Sequence, residues 1–137
     1  MKGILLDTCA ILWLADGRPA GPATRRLIDE ETEGGEVFLS PITAWEIGML
    51  SSKEKIILSK PPMKWLNELK SKTGIKWCDM PPSLLVQSSL LPGQIHGDPA
   101  DRIIAASARE FELTLITGDK NLLAYGKKGY LQAHPYD

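Results

Sequence analysis

Three short segments of this chain are almost entirely apolar, and they constrain its fold more than any other feature. They are GILLD, EVFLSP and LTLITGD, at residues 3–7, 36–41 and 113–119. A strand without a polar face must be covered on both sides, as strands are in a parallel sheet between two layers of helices. IKWCDM and YLQAH, at residues 75–80 and 130–134, predict two further short strands.

Segments with helical patterning separate these strands. Prolines near the start and glycines after the end mark several of them, and Ser40 before Pro41 has the position of an N-cap. The predicted helices cover residues 8–17, 21–35, 40–50, 60–72, 81–93 and 99–111. This alternation predicts an α/β fold with a mostly parallel central sheet, and the lack of repeats or long linkers predicts one domain over residues 1–137.

The composition is that of an ordinary globular protein and argues against several other classes. Hydrophobic residues make up 43% and charged residues 24% of the chain, and no segment approaches the roughly 20 apolar residues of a membrane span. Asp7 interrupts the first apolar run too early for a signal peptide. Cys9 and Cys78 match no zinc or redox spacing. We therefore expect a cytoplasmic protein with reduced thiols and no membrane partner.

Charge is distributed unevenly along the chain. The net charge of −1 by itself predicts no nucleic-acid partner, but residues 53–76 contain seven lysines and only two acids, Glu54 and Glu68. This basic segment is either a phosphate-facing patch beside an acidic pocket or a solvated lysine-rich helix and loop. Charge alone favours the second interpretation.

The segment HGDPADRIIAASA, at residues 96–108, places two aspartates at the start of a predicted helix. Asp98 precedes Pro99 and has the position of an N-cap, which is a sufficient structural reason for it. Asp101 follows at the third helical position. The residues that share its helix face are small and apolar: Ile104, Ala105 and Ala108. Burying an unpaired carboxylate on such a face costs more free energy than the helix dipole contributes. The position of Asp101 therefore needs another explanation.

Three other acids occupy equivalent places in separate strand–helix units. Asp7 ends the first strand, and Asp119 follows the strand LTLIT by two residues. Glu46 lies in the helix after the second strand, beside apolar neighbours such as Ile42. Because the carboxyl ends of parallel strands meet at one edge of a sheet, we expect these three acids and Asp101 to converge.

Four converging carboxylates repel one another and raise each other's pKa unless a cation lies between them. A ligand set of oxygens, without histidine or cysteine, favours a hard ion, Mg²⁺ or Mn²⁺, over zinc. Such an ion lowers the pKa of a water and offsets charge that develops on phosphorus. Asp7, Glu46, Asp101 and Asp119 are therefore the predicted catalytic and metal-binding residues. Thr8, Thr117 and Asp98 are candidates for auxiliary roles, although capping or local turn bonds explain the threonines equally well.

Four segments fall in the order and spacing of the PIN-domain ribonucleases: LLDTCAILWL, SPITAWEIGML, LPGQIHGDPADRIIAASA and LTLITGD. The chain most closely resembles the VapC-type toxins of prokaryotic toxin–antitoxin pairs. The resemblance covers the chain from Asp7 to Tyr125, and the combination of LLDT, WEI, DPADR and TGD carries it.

This resemblance implies a three-layer α/β/α fold and an endoribonuclease that uses Mg²⁺ or Mn²⁺ to hydrolyse RNA phosphodiester bonds. The family's acidic positions fall on Asp7, Glu46, Asp101 and Asp119, the same four residues that their placement selected. The resemblance also implies a homodimer and a cognate antitoxin whose C-terminal segment lies over the active site.

The chain departs from the family's pattern in two places. Relatives that begin with LLDT commonly have histidine where Cys9 stands, and they have a lysine soon after WEI, where this chain has Met49 and Leu50. Phosphate contacts at that edge are therefore expected to change or to fall to Lys53 or Lys55.

Other side chains have competing interpretations. Arg102 and Lys120 are candidates for RNA contact, although an outward arginine paired with a surface acid is the more ordinary expectation for Arg102. His96 is expected to be a loop residue near the cap and not a general base. The tryptophans at helical spacing are expected to lie mainly in the core: Trp13, Trp45 and Trp65.

Two alternative functions remain open from the residues alone. A receiver-like phosphotransfer module also places acids and Mg²⁺ at strand ends, but it needs an acidic pair after the first strand, and Asp7 is followed by Thr8 and Cys9. The other alternative is a catalytically silent RNA- or protein-binding domain with the same fold.

Overall fold

The computed structural model describes residues 3–137, and its core is a five-stranded sheet in which every pairing is parallel. The strands are β1 (Ile4–Leu6), β2 (Val37–Leu39), β3 (Lys76–Trp77), β4 (Thr114–Thr117) and β5 (Ala133–Pro135). Their order in the sheet is β3-β2-β1-β4-β5. The α/β fold with a parallel central sheet, expected from the apolar segments, is confirmed.

Seven helices connect or follow these strands in the described chain. They are α1 (Thr8–Ala15), α2 (Pro22–Gly34), α3 (Pro41–Ser52), α4 (Pro62–Thr73), α5 (Pro82–Ser89), α6 (Pro99–Glu110) and α7 (Lys120–Lys127). The predicted N-cap at Ser40 is confirmed, since its side chain accepts a hydrogen bond from the backbone N–H of Ile42 at 3.2 Å. Helix α7 was not among the predicted helices.

The sheet divides the core into two layers because successive side chains of a strand point to opposite faces. Ile4 and Leu6 pack with residues of α1 to α4, whereas Leu5 packs with residues of α6 and α7. All three side chains of β1 are fully buried. This arrangement is the three-layer α/β/α architecture, and it explains why β1 has no polar face.

Strand β1 lies in the middle of the sheet, with two strands on each side of it. β2 pairs with one side of β1 and β4 with the other, so the carboxyl ends of β1 and β4 form a topological switch point. Such points leave a crevice above the sheet in open α/β folds. The backbone N–H of Asp7 donates to the carbonyl of Ile116 at 3.1 Å, which fixes Asp7 at this edge.

The tryptophans divide between core and surface. Trp13 packs edge-on against the ring of Tyr136, with the ring centroids 5.3 Å apart, and Trp65 packs against the layer of α1 to α4. The expectation that Trp45 lies mainly in the core is wrong, because it is 58% exposed. Helix α3 is apolar on more than one side, and Ile47, on another side of the helix, is the fully buried one. No helix within residues 3–137 is long and apolar enough to cross a membrane.

Candidate active site

Asp7 lies one residue beyond β1, where it is the N-cap of α1 and is only 4% exposed. Its Oδ1 accepts a hydrogen bond from the backbone N–H of Ala10 at 2.8 Å, and its Oδ2 accepts one from the hydroxyl of Thr117. Burial raises the pKa of Asp7 to about 6 despite these two bonds, and the nearby carboxylates of Asp101 and Glu46 also raise it.

Glu46 reaches the same edge from α3. The hydroxyl of Thr8 donates to Oε1 of Glu46 at 2.6 Å and lies 3.0 Å from the hydroxyl of Thr43. Burial raises the pKa of Glu46, and the carboxylates of Asp101 and Asp98 raise it further. The two candidate threonines, Thr8 and Thr117, therefore each hold a different acid of the predicted set.

Asp101 and Asp119 approach each other from the first turn of α6 and the N-cap of α7. Together with His96 they offer ligand atoms that all lie within 4.8 Å of one another. Oδ2 of Asp119 accepts from the backbone N–H of Leu122 at 2.9 Å, and Nε2 of His96 lies 2.8 Å from Oδ2 of Asp101. Burial raises the pKa of Asp101, whereas the hydrogen bond to His96 lowers it.

Asp98 is an exposed N-cap, as its place before Pro99 predicts. Its Oδ1 accepts from the backbone N–H groups of Ala100 and Asp101 at 3.0 and 3.2 Å. Asp98 therefore has a complete structural role, and its carboxylate adds to the negative field at Glu46 and Asp101.

The pKa of the Cys9 thiol is raised by all four acids. Burial raises its pKa to about 11, and the carboxylates of Asp7, Glu46, Asp101 and Asp119 all act in the same direction. Four acids from four separate segments thus surround one region. Within residues 3–137, no lysine or arginine forms an ion pair with any of the four.

This arrangement fits a divalent cation on the evidence of its own chemistry. Buried and half-buried carboxylates with raised pKa values, and with no lysine or arginine paired to them within residues 3–137, are costly unless a positive charge joins them. Carboxylate oxygens suit Mg²⁺ or Mn²⁺, and the donors that lie within 4.8 Å of one another come from Asp101, Asp119 and His96.

The basic candidates lie outside the acid cluster. Lys53, Lys55 and Lys120 are exposed, and Lys53 is the C-cap of α3. The expectation that Arg102 pairs with a surface acid is wrong. Its guanidinium instead donates to the backbone carbonyls of four residues in and beside the loop before α6: Ser88, Ser89, Ile95 and His96. These four bonds use most of the guanidinium's five donors, so Arg102 is better suited to holding the loop than to binding RNA.

Comparison with known proteins identifies the family. A family model described as the PIN domain matches residues 4–128. The chain belongs to the PIN-domain family. This PIN domain is also 30% identical to "Ribonuclease VapC22" of Mycobacterium tuberculosis over 126 residues, which are 91% of this chain and 93% of the relative. The resemblance to VapC-type PIN domains is therefore confirmed.

Solved structures share the fold of this PIN domain at lower identity. VapBC2 from Rickettsia felis, bound to a DNA fragment from its promoter, superposes with a TM-score of 0.68 at 17% identity, covering 98% of this chain and 99% of that one. A toxin–antitoxin complex from Klebsiella pneumoniae gives a TM-score of 0.57 at 20% identity, covering 88% and 90%. These two likenesses establish the fold.

His96 is a loop residue near the cap, as expected, but its contact with the acids was not predicted. A set of donors without histidine was expected, but His96 lies against Asp101 and within reach of Asp119. The available signal was its position two residues before the N-cap Asp98, because residues just before a helix can fold back onto its first turn.

Proposed function

We propose that this PIN domain, acting as a single domain of 137 residues, is an endoribonuclease that depends on Mg²⁺ or Mn²⁺ and serves as the toxin of a toxin–antitoxin pair. The observation that carries the proposal is the convergence of four acids from separate strand–helix units at the switch point, with no lysine or arginine paired to them in the described chain. A relative that is named as a ribonuclease supports it. The cytoplasm, where RNA is abundant, is the compartment we propose.

Asp101 and Asp119, whose carboxylates lie close together, would hold the cation with Asp7 at the same edge of the sheet. Thr117 orients Asp7 through its hydroxyl. A bound Mg²⁺ or Mn²⁺ supplies positive charge for the scissile phosphate and acidifies a water. Oε1 of Glu46 is occupied by Thr8, and Oε2 has no hydrogen-bond donor among residues 3–137. Because burial raises the pKa of Glu46, Oε2 is the atom that we assign to hold the proton of the attacking water.

Contacts to the RNA backbone fall to exposed lysines at the rim. Lys120 follows Asp119 directly, and Lys53 and Lys55 follow the helix that carries Glu46. Exposed lysines of this kind bind phosphates without reading sequence, so they contribute affinity that falls with added salt.

The test is cleavage of a labelled single-stranded RNA by purified protein in Mg²⁺ or in EDTA. We expect cleavage in Mg²⁺ only, and a loss of at least about 100-fold in Asp101→Asn, as for removal of a group that acts in the transition state. Glu110→Gln is the matched control, since Glu110 is an exposed acid at the other end of the same helix. Cleavage that persists in EDTA or in Asp101→Asn overturns the proposal. RNA binding without cleavage supports the silent domain, and a stable acyl-phosphate supports phosphotransfer.

We propose that the antitoxin binds a groove of about 520 Å³ between α1 and α4, which we call the α1 groove. Its apolar lining includes Leu12, Trp13, Ile57 and Trp65, and Ile57 is 96% exposed. Asp7 caps the N-terminus of helix α1, so a segment bound along the helix reaches the acids, where basic side chains complement the charge. A solved neighbour of the same fold is a toxin–antitoxin complex, which supports this occupant.

A second exposed apolar surface lies on α5, and we propose that it pairs with another copy of this chain. Leu85, Val86 and Leu90 form it, with 39%, 59% and 69% of each residue exposed. Helix α5 contains no charged residue, so two copies meet there without like-charge repulsion. We call this surface the α5 patch.

Two substitutions separate these partners, and each is the control for the other. Val86→Asp is expected to yield monomers in sedimentation experiments while leaving antitoxin affinity unchanged. Ile57→Asp is expected to weaken antitoxin binding without changing the mass of the free protein. The reverse pattern would exchange the two assignments, and no effect of either substitution would refute both.

A further inference from the structure

The loop between α5 and α6 folds back so that His96 lies against the acid cluster. Its Nε2 is 2.8 Å from Oδ2 of Asp101, and the side chains of His96 and Asp101 are 26% and 21% exposed. Oδ1 of Asp101 has no hydrogen-bond donor within residues 3–137. The two oxygens of this carboxylate therefore have different surroundings.

The other ring nitrogen of His96 determines what Nε2 can do. Nδ1 is buried and has no hydrogen-bond partner among residues 3–137. A histidine that ligates a metal through one nitrogen almost always donates the proton on the other to an acceptor, which fixes its tautomer. Nδ1 has no such acceptor, so a proton there would be buried and unpaired. The proton is better placed on Nε2, where the carboxylate of Asp101 accepts it.

The loop that carries His96 is itself fixed in place. Arg102, one residue beyond Asp101, donates to the carbonyls of Ile95 and His96 and to those of Ser88 and Ser89 at the end of α5. Arginine is suited to this because its planar guanidinium carries five donors. The contact between His96 and Asp101 is thus built into the fold and does not depend on the tip of a loose loop.

We propose that His96 is a positioning residue, which holds Oδ2 of Asp101 through its Nε2–H and leaves Oδ1 of Asp101 to bind the divalent cation. This role rests on the proposed metal-dependent nuclease. The hydrogen bond orients the carboxylate and leaves the other oxygen free for the cation. Asp101 then enters the reaction with one rotamer already selected.

The readout that tests this role is Mn²⁺ affinity, measured by titration calorimetry on protein freed of metal. We expect His96→Ala to weaken Mn²⁺ binding by about 10- to 100-fold, the usual cost of losing a hydrogen bond that orients a ligand. His96→Gln is expected to stay within a few-fold of the unsubstituted chain, because its amide N–H replaces Nε2–H. His134→Ala is the matched control, since His134 is exposed on β5.

Spectroscopy separates a positioning residue from a ligand. Pulsed electron paramagnetic resonance on the Mn²⁺ complex of the unsubstituted protein is expected to show no directly coordinated imidazole nitrogen. A strong ¹⁴N coupling that disappears in His96→Gln would overturn the proposal and make His96 a ligand. This measurement also decides the matter if His96→Ala fails to fold.

The calorimetric outcomes also distinguish this proposal from the nuclease proposal on which it rests. Unchanged Mn²⁺ affinity in a folded His96→Ala refutes the positioning role and leaves the nuclease proposal intact. If the unsubstituted protein binds no Mn²⁺, the proposed function fails and the role of His96 fails with it.

Discussion

Replacing Asp7 with asparagine tests the electrostatic description of the site without requiring any catalysis. Asp7 is buried, and its pKa is raised from its ordinary 3.8 to about 6. Asparagine has almost the same shape and is as good an N-cap as aspartate, so the bond from the backbone N–H of Ala10 survives. The substitution therefore removes the buried charge and leaves most of its structural role in place.

The expected magnitude follows from linkage. Because the folded protein binds this proton more tightly than the unfolded chain does, stability falls as pH rises from about 3.8 to 6, and the full cost is present above that range. At about 1.4 kcal/mol per pH unit, ionising Asp7 costs about 3 kcal/mol at pH 7.5 and about half of that at pH 5. Asparagine also weakens the hydrogen bond to Thr117, which offsets about 1 kcal/mol of this gain. Asp7→Asn should therefore stabilise the metal-free protein by about 2 kcal/mol at pH 7.5, or about 8 °C in Tm.

Urea unfolding in EDTA at pH 5 and pH 7.5 measures this difference directly. Asp79→Asn, at an exposed aspartate, is the control and should change stability little at either pH. If Asp7→Asn is no more stable than the unsubstituted protein at pH 7.5, ionisation of the buried carboxylate does not have the free-energy cost described. An advantage of equal size at both pH values would also refute the reasoning, because the cost would then not come from ionisation.

Three further outcomes follow from the same structure. Millimolar Mg²⁺ should raise the Tm of the unsubstituted protein by mass action and raise that of Asp7→Asn much less; equal shifts in the two would place the ion elsewhere. At pH 7.5, Cys9 and Cys78 should both react slowly with iodoacetamide, because burial raises both thiol pKa values to about 11. Mg²⁺ should accelerate the reaction of Cys9 alone, because the four acids also raise its pKa. Peptide mass spectrometry measures both rates. Gly118→Ala should lose about 1–3 kcal/mol in urea unfolding, because a Cβ there would overlap the ring of Trp13; unchanged stability would mean that the ring moves freely.

Most of the fold could be predicted because its strands are buried on both faces. Segments such as GILLD have only one kind of environment in which they are stable, so pattern and fold are tightly coupled. Helix α7 was missed although Asp119 caps it and Leu122 and Tyr125 anchor it, because Asp119 was interpreted only as a site residue. The last strand lies at Ala133–Pro135, not at residues 130–134, since a short edge strand has few pattern residues to fix its register.

The site was predictable to the extent that parallel topology dictates it. Acids at the ends of β1 and β4 must share an edge once the strands pair, whatever the loops do. The roles of His96 and Arg102 could not be predicted in this way, because both depend on how one loop folds back onto α6. The exposure of Trp45 was also hidden, since an apolar residue on an apolar helix does not reveal which side meets the core.

The position of the four acids along the polypeptide has a consequence for when the proposed toxin becomes harmful. Asp7 and Asp119 lie far apart in the sequence and reach the same edge of the sheet only when β4 docks beside β1. An incomplete or partly folded molecule holds too few of the acids in place to retain the proposed cation. The proposed nuclease activity would therefore begin only after translation has passed β4 and folding has finished, which would give the proposed antitoxin time to bind.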